Sequence, residues 1–373
     1  MSNQTHHAMS NQTTQASPPA GVRTYLDQLM EERRIPGLQV VVVRDGSIVL
    51  HEVLGLADLE HRVPATRESI FSINSMSKAF TGVALMQLVE AGQLDLAAPV
   101  SRYLDGLPES WRPVTVRQLA TLTSGLPEIT SWNADGTVGL IGGGDEQAAW
   151  AATYALPMEF APGEGYRYVQ TNYALLGRII DRLSGKPFTE FIAERQFAVA
   201  GMSHTLYADD RDIIPNRATT YTCVDSSGAR LNDPNRNTTE ILYKSHYDWP
   251  PILRTAAGLH STAEDLARWI IALQRGSLIQ RASTLETLWT PNPLHDGRPG
   301  AWGIGWLIGK SAKGHVGAPA GGAKAQIALY PDGLAVILLT NLIGAFEEQL
   351  SALTADPIDL AFIDAIARYY APS

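Results

Sequence analysis

Two polar side chains three residues apart, Ser75 and Lys78 in the run Ser75-Met76-Ser77-Lys78, give the first chemical signal. The hydrophobic spacing that follows predicts a helix beginning here. Residues three apart at a helix start lie on one face, so hydroxyl and amine can come within hydrogen-bonding reach. A serine hydroxyl is a poor nucleophile at neutral pH, and an amine kept neutral by desolvation or by a positive neighbour can take its proton. The helix start adds free N–H groups and a positive dipole end beside the developing negative charge. With 23 serines and six lysines in 373 residues, about 0.4 such tetrapeptides arise by chance. The same residues would also suit a capping serine beside a solvated lysine. A catalytic reading therefore needs support from elsewhere in the chain.

That support is a set of further runs in a fixed order. Phe71-Ser72-Ile73-Asn74 precedes Ser75, and Leu122-Thr123-Ser124-Gly125-Leu126-Pro127 follows. Then come Pro162-Gly163-Glu164-Gly165-Tyr166-Arg167-Tyr168-Val169-Gln170-Thr171-Asn172-Tyr173, Gly258-Leu259-His260-Ser261-Thr262-Ala263-Glu264-Asp265-Leu266, and Gly314-His315-Val316-Gly317. Together they resemble the serine β-lactamase and penicillin-binding-protein superfamily, in particular its class C β-lactamase-like branch of esterases, D-aminopeptidases and DD-carboxypeptidases. The resemblance covers about residues 22–368.

It implies an α+β fold in which an antiparallel sheet flanked by helices packs on a mainly helical domain, with the active site in the cleft between them. Carried over to this sequence, Ser75 is the acylated nucleophile, and Lys78 and Tyr168 share its proton and deliver one to the leaving group. Tyr168 could act as a phenolate only where neighbouring cations lower a pKa that begins near 10. The N–H groups of Ser75 and Ala318 form the oxyanion hole, and His315-Val316-Gly317 is the substrate-binding strand. Two departures follow. Gln170 stands where the family usually has asparagine, so its geometry toward substrate or Lys78 differs. His315 stands where β-lactamases and DD-peptidases carry a lysine, and a mostly neutral imidazole attracts a carboxylate much less than a fixed cation. The implied activity is hydrolysis of carboxylic esters or small amides through an acyl-serine; the alternatives are acyl transfer on the same machinery and, behind it, β-lactamase, DD-carboxypeptidase or non-catalytic binding roles. Trp132, Tyr243, His246, Tyr247, Trp249 and Trp302 are candidates to wall an apolar acyl pocket. His260 is read as structural, and no metal or other cofactor is required.

The elements that must position these residues are legible as patterns. Residues 22–34 carry apolar side chains at helical spacing up to Pro36-Gly37. Residues 38–43 and 48–53 are β-branched runs joined by Arg44-Asp45-Gly46, a hairpin signal. Residues 302–308, 315–316, 325–330 and 334–339 read as further strands, the last two joined by Pro331-Asp332-Gly333. A sheet built from both chain ends is the simplest account. Between them, residues 76–91, 116–122, 173–183, 187–197 and 263–273 read as helices, the first as an apolar stripe ended by Gly92 and the last begun by a capping box from Ser261 to Glu264. A closing helix is expected over 345–370, interrupted near Pro357. Residues 127–146 and 208–254 resist assignment and suggest lids or binding walls. The expected organisation is a disordered tail at 1–18, a discontinuous sheet domain of residues 19–78 and 258–373, and a mainly helical domain of residues 79–257.

Composition narrows the partners. Hydrophobic residues make up 45% and charged residues 18% of the chain, enough for a large core. Lys plus Arg number 29 against 38 Asp plus Glu, a net charge of -9, which argues against nucleic acid. One cysteine, Cys223, excludes an internal disulfide and a thiolate metal site. No apolar run is long enough to span a bilayer, and the first 18 residues lack a secretory pattern, so a cytoplasmic enzyme acting on a small ester, amide or acyl donor is expected.

Overall fold

The computed structural model describes residues 19–132, 138–143, 145–209, 211–224, 241–245, 249–308, 313–317, 324–346 and 361–370. The chain enters through α1 (Val22–Arg33), which buries Val22, Leu26 and Leu29 and stops where Arg34 turns left-handed at φ 53°. It continues into β1 (Gly37–Arg44) and β2 (Ser47–Asp58), paired antiparallel. Asp45 and Gly46, at φ 51° and 70°, make the two-residue turn between them. Both residues at positive φ match the right-handed twist of a hairpin, which is why Asp-Gly works here. Four more strands complete the six-stranded sheet, of which β3 (Val63–Pro64) borders β2.

The remaining sheet strands arrive from the far end of the chain: β4 (Lys313–Gly317), β5 (Ala325–Leu329) and β6 (Ala335–Thr340). The six-stranded order is β4-β5-β6-β1-β2-β3, antiparallel throughout, with Leu38 opposite Thr340 and Val43 opposite Ala335 at the central join. Because successive side chains alternate between faces, burial of every residue from Gly37 to Val43 means that both faces of β1 are covered. Burying one such valine is worth about 1.5–3 kcal/mol. Between the two halves of the sheet the chain forms, among other elements, α2 (Ser77–Glu90), α3 (Gln170–Ser184) and α4 (Ala263–Gln274). Helix α4 packs on β1 and β6, and α5 (Ala361–Arg368) on β5 and β6. Gln39, fully buried on β1, ties these layers together: its carbonyl oxygen accepts from Ala263 N at 2.8 Å, and its amide donates to Thr66 O at 2.7 Å and Ser69 O at 3.0 Å. No helix among the described residues is long and apolar enough to cross a membrane.

Several expectations are corrected. Residues 302–308 are not a strand; one isolated bridge joins Trp302 to Leu307. Their glycines serve close approach instead: a Cβ on Gly303 would lie 2.4 Å from Leu288 O, and one on Gly305 2.2 Å from Lys78 O. Helix α2 is not amphipathic, since every residue from Ser77 to Leu88 is buried. The cap of α4 is Thr262, which accepts from Asp265 N at 3.1 Å, rather than the Ser261 to Glu264 box. The helix expected over 187–197 runs Phe188–Ile192 and then widens into a π turn at Ala193–Phe197. Parts of the two unassigned segments form small two-stranded sheets, Thr130–Trp132 with Val138–Leu140 and Tyr221–Val224 with Ile241–Lys244. The expected tail and the interruption near Pro357 lie outside the described residues.

Candidate active site

Ser75 is the middle residue of a single 3-10 turn, Asn74–Met76, that feeds directly into α2. The turn is held from both sides. Asn74 sits at φ 43°, and its side-chain oxygen accepts from Ser72 Oγ at 2.6 Å. Ser77 Oγ donates to Asn74 O at 2.6 Å and accepts from Leu259 N at 3.2 Å. Strand Leu259–Ser261 backs the turn by pairing with Phe71–Ser72. His260 on that strand is buried, and desolvation draws its imidazole down to about 3, so it is a neutral packing residue, as the sequence suggested.

Lys78 follows one helical turn later and is fully buried. Its Nζ donates to Gln170 Oε1 at 3.0 Å and to Ala256 O at 3.1 Å. Desolvation pulls this amine from 10.5 down to about 7, against an opposing pull from Glu128. A neutral amine has two N–H donors and one lone pair. Two carbonyl acceptors therefore occupy both N–H groups and leave the lone pair free to accept a proton. The rings of Tyr168 and Tyr173 flank the nitrogen, with centroids 4.6 and 5.0 Å away, which also suits the ammonium form once a proton has arrived.

The phenol oxygen of Tyr168 lies 2.8 Å from Ser75 Oγ. Tyr168 precedes α3 by two residues, and the loop that carries it is clipped to the Thr123-Ser124-Gly125 segment. Gly163 N donates to Thr123 O at 2.8 Å, Glu159 N to Gly125 O at 2.8 Å, and Arg167 N to Leu122 O at 3.0 Å. Gly125 is needed at this junction: its φ is 75°, and a Cβ would meet Phe160 O at 2.0 Å. Ser124 Oγ donates to Asn172 Oδ1 at 2.8 Å, and Thr171 Oγ1 donates to Pro127 O at 2.6 Å. The condition set for a Tyr168 phenolate is not met. Burial is the largest influence and pushes the phenol well above its ordinary value of 10, so the tyrosine stays neutral rather than acting as a resting phenolate.

Gln170, the Tyr-x-Asn departure, is the first residue of α3 and holds Lys78 through its side-chain oxygen. Its own N–H is accepted by Glu128, at 3.0 and 3.2 Å from the two carboxylate oxygens. Glu128 also accepts from Thr130 N at 3.0 Å. Sequence reading passed over this residue, because a glutamate in a loop of unassigned structure carries no spacing signal.

His315 and Gly317 lie on the edge strand β4, opposite Ile327 and Ala325, and that strand runs beside the Ser75 turn. Trp302 packs on Tyr168 with ring centroids 5.8 Å apart, and both Trp302 and Trp249 are 3% exposed. Trp302 backs Tyr168, and neither tryptophan presents more than a trace of surface to a ligand. Trp132 ends the Thr130–Trp132 strand opposite Val138, and Tyr243 is exposed on the other hairpin. Ala318, His246 and Tyr247 lie outside the described residues.

An antiparallel sheet made from both chain ends, with a serine, a buried lysine and a tyrosine meeting where the helices join it, is the arrangement of the β-lactamase/transpeptidase-like fold. The chain belongs to the beta-lactamase family, whose model matches residues 22–356, and so to the serine β-lactamase and penicillin-binding-protein superfamily. It is 30% identical over 308 residues to penicillin-binding protein 4* of Bacillus subtilis, covering 81% of this chain and 66% of that protein, just under two thirds of the relative's length. Among solved structures it resembles a penicillin-binding protein from Bacillus halodurans, with 25% identity, a TM-score of 0.67, and 86% and 96% of the two chains covered. It shares its fold with a D-amino acid amidase from Ochrobactrum anthropi, at 23% identity and a TM-score of 0.71 over 94% of this chain and 96% of that one.

Proposed function

We propose that the protein hydrolyses uncharged carboxylic esters or small amides through an acyl-Ser75 intermediate. The observation that carries this reading is the 2.8 Å contact of Tyr168 with Ser75 Oγ beside a fully buried Lys78 amine whose pKa is about 7. In the first step Ser75 Oγ bonds to the substrate carbonyl carbon, the carbonyl electron pair moves onto oxygen, and the serine proton passes to Lys78, with the Tyr168 hydroxyl as the relay. N–H groups of Ser75 and Ala318 would bind the oxyanion, one such donor being worth about 3 kcal/mol of barrier. Collapse returns the carbonyl, breaks the bond to the leaving alcohol or amine, and gives that group the proton held by Lys78. Water then repeats the sequence on the acyl-enzyme and frees the acid. Histidine at position 315 leaves that position without the fixed cation that a lysine there would supply, which favours neutral substrates over carboxylate-bearing β-lactams and peptides.

Intact mass after treatment with a fluorophosphonate should show one adduct, on Ser75. Turnover of p-nitrophenyl esters or D-amino-acid amides should fall at least about 10³-fold in Ser75→Ala, and nitrocefin should be a poor substrate. Equal activity in Ser75→Ala overturns the reading. Acyl products formed with added amines or alcohols would instead make the protein an acyltransferase on the same machinery.

A further inference from the structure

We propose that Glu128 is a positioning residue of the acylation machinery: its carboxylate pins the first turn of α3 so that Gln170 holds the Lys78 amine, and its charge acts on that amine. The inference rests on the acyl-Ser75 reading above and adds to it a carboxylate that opposes the desolvation of the lysine.

The geometry forms a continuous chain. Both Glu128 oxygens accept from Gln170 N, at 3.0 and 3.2 Å, and one accepts from Thr130 N at 3.0 Å. Gln170 Oε1 then accepts from Lys78 Nζ at 3.0 Å. A carboxylate at a helix N-terminus is favoured by the helix dipole and satisfies N–H groups that lack intrahelical partners. The longer side chain of Gln170 makes this support necessary. With one more rotatable bond than asparagine, it reaches Lys78 reproducibly only if its backbone is fixed. Glu128 supplies that fixed point, and through Thr130 it fastens the adjacent Thr130–Trp132 hairpin to the same helix end.

The charge has a separate effect. Among the described residues, the rings of Tyr168 and Tyr173 face the Lys78 amine, and the Glu128 carboxylate acts on it through its charge. Ala256 and Gly305, from the other segments packed on Lys78, bring no titratable group. Desolvation drives the amine toward neutrality, and Glu128 opposes it; burial raises the pKa of Glu128 itself, against which the N–H groups of Gln170 and Thr130 favour its charged form. Without that carboxylate the lysine would stay neutral to lower pH and would be a weaker base.

Two readouts on the full-length protein test this. In a sample with 13C-labelled lysine, the Lys78 signal is the one missing in Lys78→Met, and its titration midpoint is followed by NMR. In parallel, the rate of Ser75 labelling by a fluorophosphonate, which forms an Oγ–P bond and expels fluoride, is measured from pH 5 to 9. In Glu128→Gln the Lys78 midpoint and the acid limb of labelling should both move down by about half to one pH unit. In Glu128→Asp, which keeps the charge and shortens the reach, the midpoint should hold while the labelling rate falls several-fold; this variant also decides the matter if Glu128→Gln does not fold. A Lys78 midpoint unmoved in Glu128→Gln, or a labelling rate unchanged in Glu128→Asp, overturns the proposal. Failure of the parent protein to label at Ser75, with the Lys78 midpoint still shifting, would instead remove the acyl-serine reading and leave the electrostatic link standing.

Discussion

Strand β1 and the start of α2 are buried to the same degree, yet burial does opposite things in them. From Gly37 to Val43 it removes mostly aliphatic surface from water and stabilises the sheet. At Lys78 it removes an amine from water, disfavours its charged form and so creates a base. The first region stores stability; the second spends some of it on reactivity, which the valine-rich sheet can support. The difference lies in the buried atoms, not in the packing.

The largest effect expected from breaking this contrast is chemical. Lys78→Met puts an apolar side chain of similar length where the base sits, and Ser75 labelling should drop by about 10³-fold or more. The same variant sharpens the comparison thermodynamically. The folded pKa of Lys78 is depressed to about 7 against 10.5 unfolded, so between those values the unfolded chain binds more protons and the parent gains stability as pH rises. The penalty for burying Lys78 is therefore full below pH 7 and fades toward pH 10.5. The Tm of Lys78→Met minus that of the parent should be level below pH 7 and fall steadily from pH 7 to 10; a constant difference throughout would mean that Lys78 is not titrating in that window.

Next in size is Gly305→Ala. A Cβ there would meet Lys78 O at 2.2 Å, at a φ of +78°. Backbone must shift where α2 meets the segment carrying Trp302, so stability should fall by about 2–4 kcal/mol in urea unfolding, with slower Ser75 labelling in the remaining folded protein. The smallest effect belongs to the sheet. Val41→Ala should cost about 2 kcal/mol by the same measurement and leave the labelling rate of folded protein unchanged. A Val41→Ala defect in labelling at full folding would show that the two regions are coupled more tightly than their separate chemistries imply.

Local signals were legible where the cause is local. The Asp45-Gly46 turn, the Val22–Arg33 helix and the end of α2 before Gly92 each follow from backbone preferences of a few residues. The 302–308 segment misled because its alternating apolar residues resemble a strand, whereas its glycines answer to Leu288 O and Lys78 O, which are remote in sequence. Ser75, Lys78 and Tyr168 were readable from motif order, and the structure brings them together. Glu128 was not, since its role consists of contacts with Gln170 and Thr130 that depend on how the loop closes on α3.

The sequence by itself determined the family and the presence of serine, lysine, tyrosine and histidine at positions 75, 78, 168 and 315, because these are properties of residue type and order. Only the tertiary structure decided their protonation. Lys78 sits near 7 and Tyr168 stays neutral because of how deeply each is buried and what faces it, and desolvation is a property of the folded surroundings that no tetrapeptide carries.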